Sequence, residues 1–188
     1  MTATLFLDEI VQRHQAVTNE FSDFCSNIPE SSFFSQPADK WSIAQNIQHL
    51  IISAKRTKLA FSLPKFIIKL VVGKSNRPSK TYDELVTKYK LKLEQGGRAS
   101  TAFVPKEIPK TVGQQKMIYH FSNSMNQLIN AIQKNWTDKD LDNYIAPHPL
   151  LGKITLRELC YFTIHHVYHH LNTIRARLNE FEMAEAAH

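Results

Sequence analysis

Apolar side chains at Ile10, Val17, Phe21, Phe24 and Ile28, with the half-apolar His14 in phase, recur at steps of three and four residues. That spacing is one buried stripe on a helix, and it predicts a long amphipathic helix within residues 3–28. The proline- and serine-rich run 29–37 breaks the pattern and predicts a linker. Periodicity resumes after Trp41: Ser42 and Gln45 stand three apart, as a capping box requires, and the stripe Ile43, Ile47, Leu50, Ile51, Ala54 passes beside His49, with Gln45 and Asn46 one turn back.

The run 59–72 is strongly apolar, with Pro64 placed for a helix start and Gly73 for a stop. Lys65 and Lys69 make it amphipathic, and it is expected to face the core or a second copy of the chain. A polar loop follows, without the order of a phosphate-binding loop. Thr81 and Glu84 form a second capping box, opening a helix that Gly96 and Gly97 end. Residues 98–112, with Pro105 and Pro109, make a connection of a length that often lies over a site.

Residues 114–135 give another long helical pattern, followed by a capped turn at 137–140. Residues 147–155 are expected as loop, and Thr155 with Glu158 make a last capping box before a helix of about 156–180. No segment alternates strictly between apolar and polar, so no strand is predicted. The expected fold is all-α: a four-helix bundle with long crossover connections and short extra helices, as one domain over residues 1–188.

Charge changes this picture locally. The chain carries a net +6, yet between Lys55 and Lys92 there are 11 Lys and Arg against Asp83 and Glu84 alone, +9 in that stretch. Such a patch suits a small acidic ligand, anionic lipid or nucleic acid, although lysines on amphipathic helices commonly form only a solvated face. Cys25 and Cys160 make neither a disulfide framework nor a zinc spacing, and the opening residues read as neither signal nor transit peptide. A cytoplasmic protein without a membrane span is expected.

The candidate chemistry is in the last helix. Residues 161–170 read Tyr-Phe-Thr-Ile-His-His-Val-Tyr-His-His. Residues four apart share a helix face, so His166 with His170 and His165 with His169 are both possible metal-gripping pairs, and helical phase does not choose between them. Paired histidines also serve as polar core. Catalytic metal sites usually take three protein ligands and leave one position open, so a third histidine has to come from elsewhere. Near the pairs, Glu158, Gln45 and Asn46 are the polar candidates for supporting roles, and none has the marks of a general base.

Two boxes decide the matter by resemblance. Trp41-Ser-Ile-Ala-Gln-Asn-Ile-Gln-His49-Leu50, and His166-Val-Tyr-His-His170-Leu-Asn-Thr-Ile174 preceded by the run 150–159, resemble the DinB-like family of damage-inducible four-helix bundles, whose superfamily includes bacillithiol transferases and mycothiol-dependent isomerases. The resemblance implies a divalent metal, nickel, zinc or iron, held by one histidine of the second helix and two of the last. By position these are His49, His166 and His170, because the family's final ligand directly precedes an apolar residue, here Leu171. His165 and His169 then fall off register.

The implied function is metal-assisted transfer of a low-molecular-weight thiol, or hydrolysis, on a small-molecule substrate. The other reading is a stress-response or ligand-binding bundle that holds a metal without turnover. A fourth protein ligand, or His148 swinging in, would favour that second reading. A homodimer is expected, and nucleic-acid binding is not.

Overall fold

The computed structural model describes residues 4–36, 40–98 and 100–186, with the side chains of the last helix given through Asn179. In order come α1 (Leu7–Ser26), α2 (Glu30–Phe34), α3 (Ile43–Ser62), α4 (Lys65–Val71), α5 (Tyr82–Glu94), α6 (Gln114–Asn135), α7 (Asp138–Asn143), β1 (Ile145–His148), β2 (Gly152–Thr155) and α8 (Leu156–Ala186). The long helices α1, α3, α6 and α8 form the bundle. α1 and α3 each pack against both α6 and α8, so consecutive members α1 and α3 stand across a diagonal, as do α6 and α8, and the connections cross the ends of the bundle. The all-α four-helix architecture is the one the periodicity predicts.

Each predicted capping box forms. Ser42 and Gln45, Thr81 and Glu84, and Thr155 and Glu158 exchange side-chain and backbone hydrogen bonds, satisfying amides that a helix start otherwise leaves without partners. Two apolar clusters fill the interior. One is built around Phe21, Ile47, Leu50, Phe121, Ile164 and Leu171. The other gathers Ile10, Phe61, Leu128, Trp136, Leu156 and Tyr161 toward the opposite end.

Two expectations need correction. The run 29–37 is not all linker: α2 forms there because Phe33 and Phe34 are apolar neighbours that the core takes up, both buried. Residues 147–155 are not loop. β1 and β2 pair antiparallel with Ile145 opposite Thr155 and His148 opposite Gly152, in strands too short, and with Pro147 inside one of them, to show alternation; Gly152 supplies the positive φ of 76° at the return of the turn. The helix α4 meets the core through Ile68, as expected, and exposes Phe66, Leu70 and Val71 on its other side.

Among the described residues no helix is long and apolar enough to cross a membrane.

Candidate metal centre

The site is assembled from the first turns of α3. Once the Ser42 and Gln45 box has fixed the helix start, Asn46 donates its Nδ2 to the Ser42 carbonyl at 2.8 Å. That turns the Asn46 Oδ1 toward α8, where it accepts a hydrogen bond from His170 Nδ1 at 2.7 Å. One turn further along α3, His49 Nδ1 donates to the carbonyl oxygen of Phe103 at 2.8 Å. An oxygen acceptor at Nδ1 requires the proton there, so the Nε2 atoms of His49 and His170 are both bare lone pairs.

Both lone pairs face a third imidazole. His166 Nε2 lies 3.1 Å from His49 Nε2 and 3.1 Å from His170 Nε2, and the three ligand atoms all fall within 4.8 Å of one another. Three nitrogens around a tetrahedral ion with metal–nitrogen bonds of ~2.0–2.1 Å would stand about 3.3 Å apart. The donor set thus fits a divalent ion in number and spacing, and in tautomer at His49 and His170. α8 holds the pair in phase without internal glycine or proline.

Burial sets the charge. It lowers the pKa of His49, with the Phe103 carbonyl pulling the other way. His166 and His170 are held well below the ordinary histidine value, by burial first and then by the repulsion their charged forms would exert on neighbouring imidazoles. All three are neutral at pH 7, the protonation state that ligates. Aromatic rings wall them in: Trp41 lies 5.0 Å from the His49 ring and parallel to His170 at 6.5 Å, and Phe162 stacks on His166 at 4.9 Å.

A model of the DinB superfamily matches residues 13–174, a span that includes both histidine boxes. The chain belongs to this superfamily. Curated proteins return no match to it.

In this DinB superfamily chain the remaining sequence candidates separate cleanly. His165 and His169 turn their edges to the Tyr89 ring of α5, with centroids at 5.8 and 6.2 Å, off the register of the triad. His148 accepts the backbone N–H groups of Leu150 and Leu151 on its Nδ1 and closes the hairpin turn instead of completing the cluster. Among the described residues, no other histidine, cysteine or carboxylate joins the three.

Glu158 is fully consumed elsewhere, by Arg77 and by the amides of Lys80 and Thr155. Burial raises its pKa, but these donors outweigh it and hold the carboxylate below its usual range. Both cysteines are buried and free. Desolvation pushes the Cys25 thiol up to about 12 and raises that of Cys160 as well, so neither is a thiolate at neutral pH.

Of the guesses for supporting residues, Asn46 belongs to the site, whereas Gln45 is spent on the cap. The sequence does not single out Trp41 and Phe103 as site residues. Trp41 sits inside the first motif, and Phe103 inside the long connection whose length suggested a cover. Part of the basic stretch is internal as well: Lys65 pairs with Asp140 and Arg77 with Glu158.

One side of the triad opens on a cavity of about 660 Å³, within the range that holds small molecules.

Proposed function

We propose that this chain is a metal-dependent enzyme in which His49, His166 and His170 hold one divalent ion, nickel, zinc or iron, and in which a thiol or a water attacks a small-molecule substrate. The observation that carries the reading is the pair of fixed tautomers: Asn46 and the Phe103 carbonyl aim two bare Nε2 atoms at a third within 3.1 Å. A packing role would not require lone pairs to converge. Three protein ligands with no fourth among the described residues, beside a cavity, are the pattern of catalytic sites, whereas structural sites are closed.

When bound, the ion supplies Lewis acidity that makes a water or a thiol nucleophilic near neutral pH. The chain's own contribution is orientation and exclusion. Asn46 and Phe103 hold the imidazole rings, and Trp41 and Phe162 shield them from bulk water. Because both cysteines are buried and protonated, a thiol nucleophile must arrive with a cosubstrate.

The test couples metal content to turnover. Elemental analysis of purified protein, with and without reconstitution by zinc, nickel and iron, should give one ion per chain, lost in His49→Ala. The loaded protein is then screened for thiol consumption with an electrophile and for ester and amide hydrolysis. Stoichiometric metal without turnover across that screen would favour the non-catalytic metal-binding bundle. No metal at all would overturn the reading.

A further inference from the structure

The shape and lining of the cavity say what kind of molecule it takes. Along α3, His49, Ser53, Thr57 and Ala60 line it in turn, at three- and four-residue steps that make one stripe. At 1.5 Å per residue, Ala60 lies about 16 Å along the helix axis from His49. The stripe passes from imidazole to hydroxyl to methyl. At the far end the wall is completed by Leu63, Ile68 and Val72 around α4 and by Leu93 of α5. The cavity is therefore elongated, with a polar end at the triad and an apolar end under α4.

Among the described residues the charged ones lining it are Arg56 and Arg98, and no carboxylate does so. Arg56 lies over the Phe103 ring at 4.9 Å, and that ring meets His49 at 6.4 Å, which puts positive charge one ring away from the triad. On α4, which lines that end through Ile68, the side chains of Phe66, Leu70 and Val71 are 69, 82 and 74% exposed. A hydrophilic cosubstrate would leave that apolar half without partners.

We propose that the substrate of the site is an acyl-chain amphiphile, with its anionic or carbonyl head between the triad and Arg56 and its chain running along α3 to Ala60, Ile68 and Leu93. This deepens the metal-enzyme reading, since it supplies the molecule on which that site acts, but the tail half of the cavity stands without the metal.

The test titrates the full-length protein, zinc-loaded and zinc-free, with hexanoate, octanoate, decanoate and dodecanoate below their micelle concentrations, followed by calorimetry. Affinity should rise about three- to fourfold per methylene, the transfer gain of one buried CH2. Ala60→Phe and the surface-compatible Leu63→Arg should each weaken dodecanoate at least tenfold, while leaving hexanoate affinity and metal stoichiometry unchanged. Arg56→Gln should weaken all four by a similar factor.

A flat series, or a series unaffected by both Ala60→Phe and Leu63→Arg, would overturn the proposal. So would loss of the chain-length dependence in Phe66→Ser with Leu70→Ser, which would mean adsorption on exposed α4. A rising series in a protein that takes up no metal would sink the metal reading and spare this one. Stoichiometric metal with a flat series would do the reverse.

Discussion

α8 carries two buried polar clusters, and they are built on opposite rules. At its first turn, Arg157 donates Nε to Asp142 at 2.7 Å, Nη1 to the Leu5 carbonyl at 2.5 Å and Nη2 to Asp138 and Asp142 at 3.0 Å. Its neighbour Glu158 accepts from two guanidinium nitrogens of Arg77 and from two backbone amides. These hydrogen-bonding capacities are used up inside the chain. About two turns later, His166 and His170 with His49 are equally buried, but their Nε2 atoms face only one another. Burial does not mark the site, since both clusters have it. The mark is acceptor capacity that the fold has oriented and gathered from several side chains at one point.

The largest expected contrast is in metal binding. His166→Ala or His170→Ala removes one of the three proposed ligands and should abolish stoichiometric zinc or nickel uptake, read by elemental analysis after desalting. His165→Ala and His169→Ala remove rings that pack on Tyr89, the second also a ring beside His170, but neither supplies one of the three converging nitrogens, so both should keep it. Uptake lost in the second pair and kept in the first would show the register to be reversed.

The other cluster should answer in stability and not in metal. Arg157→Ala leaves the Leu5 carbonyl and two aspartates without their guanidinium. Breaking a buried pair costs about 3–5 kcal/mol; the carboxylates are 42 and 43% exposed, which places the expectation at the lower end, about 3 kcal/mol. That corresponds to a fall in Tm of roughly 6–12 °C for a chain of this size. One metal ion per folded chain should remain. A loss of metal as large as that in His166→Ala would mean that the two clusters are coupled through α8.

The two clusters also differ in how far the sequence reveals them. The four bundle helices and their caps are legible because helical period and box spacing are local. The pair on α8 is half legible: spacing offers two pairs, and only the likeness to DinB-like proteins selects His166 and His170 and brings in His49 from a distant helix. Glu158 reads equally well as a supporting residue for the site. Only the three-dimensional fold shows that Arg77, far away in the chain, has claimed it. The covers Trp41 and Phe103, the short α2 and the hairpin at 145–155 escape for the same reason. Their structure is decided by neighbours remote in sequence, and a four-residue strand holding a proline carries no periodic signal.

A finer test addresses what makes the histidine cluster available. Asn46 fixes the His170 tautomer through Oδ1 while its Nδ2 is tied to Ser42. Asn46→Leu should weaken zinc affinity about 10–100-fold, the usual effect of losing a partner that orients a ligand, as measured by competition with a chromophoric chelator. Asn46→Asp keeps the acceptor and should stay close to wild type. If the leucine variant binds as tightly as the parent, the tautomer is fixed by something other than Asn46 and the orientation argument fails.

The smallest expected effect belongs to a histidine that follows neither rule. His14 is fully buried in α1 and donates Nδ1 to the Ile10 carbonyl at 2.8 Å, and among the described residues its Nε2 is the one buried side-chain nitrogen or oxygen without a partner. Burial lowers its pKa from the ordinary histidine value of 6.5 to about 4, against a weaker upward pull from the Ile10 carbonyl. Between those values the unfolded chain takes a proton that the folded chain refuses. The stability linked to a neutral His14 is therefore complete above about pH 6.5 and is lost as pH falls toward 4. His14→Met removes both the unpaired nitrogen and this titration. Its Tm at pH 7 should equal or slightly exceed that of the wild type, with the advantage growing by about 1 kcal/mol as pH falls to 6. The triad and His148 titrate alike in both proteins, so comparing the two Tm profiles at matched metal content isolates His14. Parallel profiles would show that His14 does meet a partner or water, and that it belongs with the satisfied cluster after all.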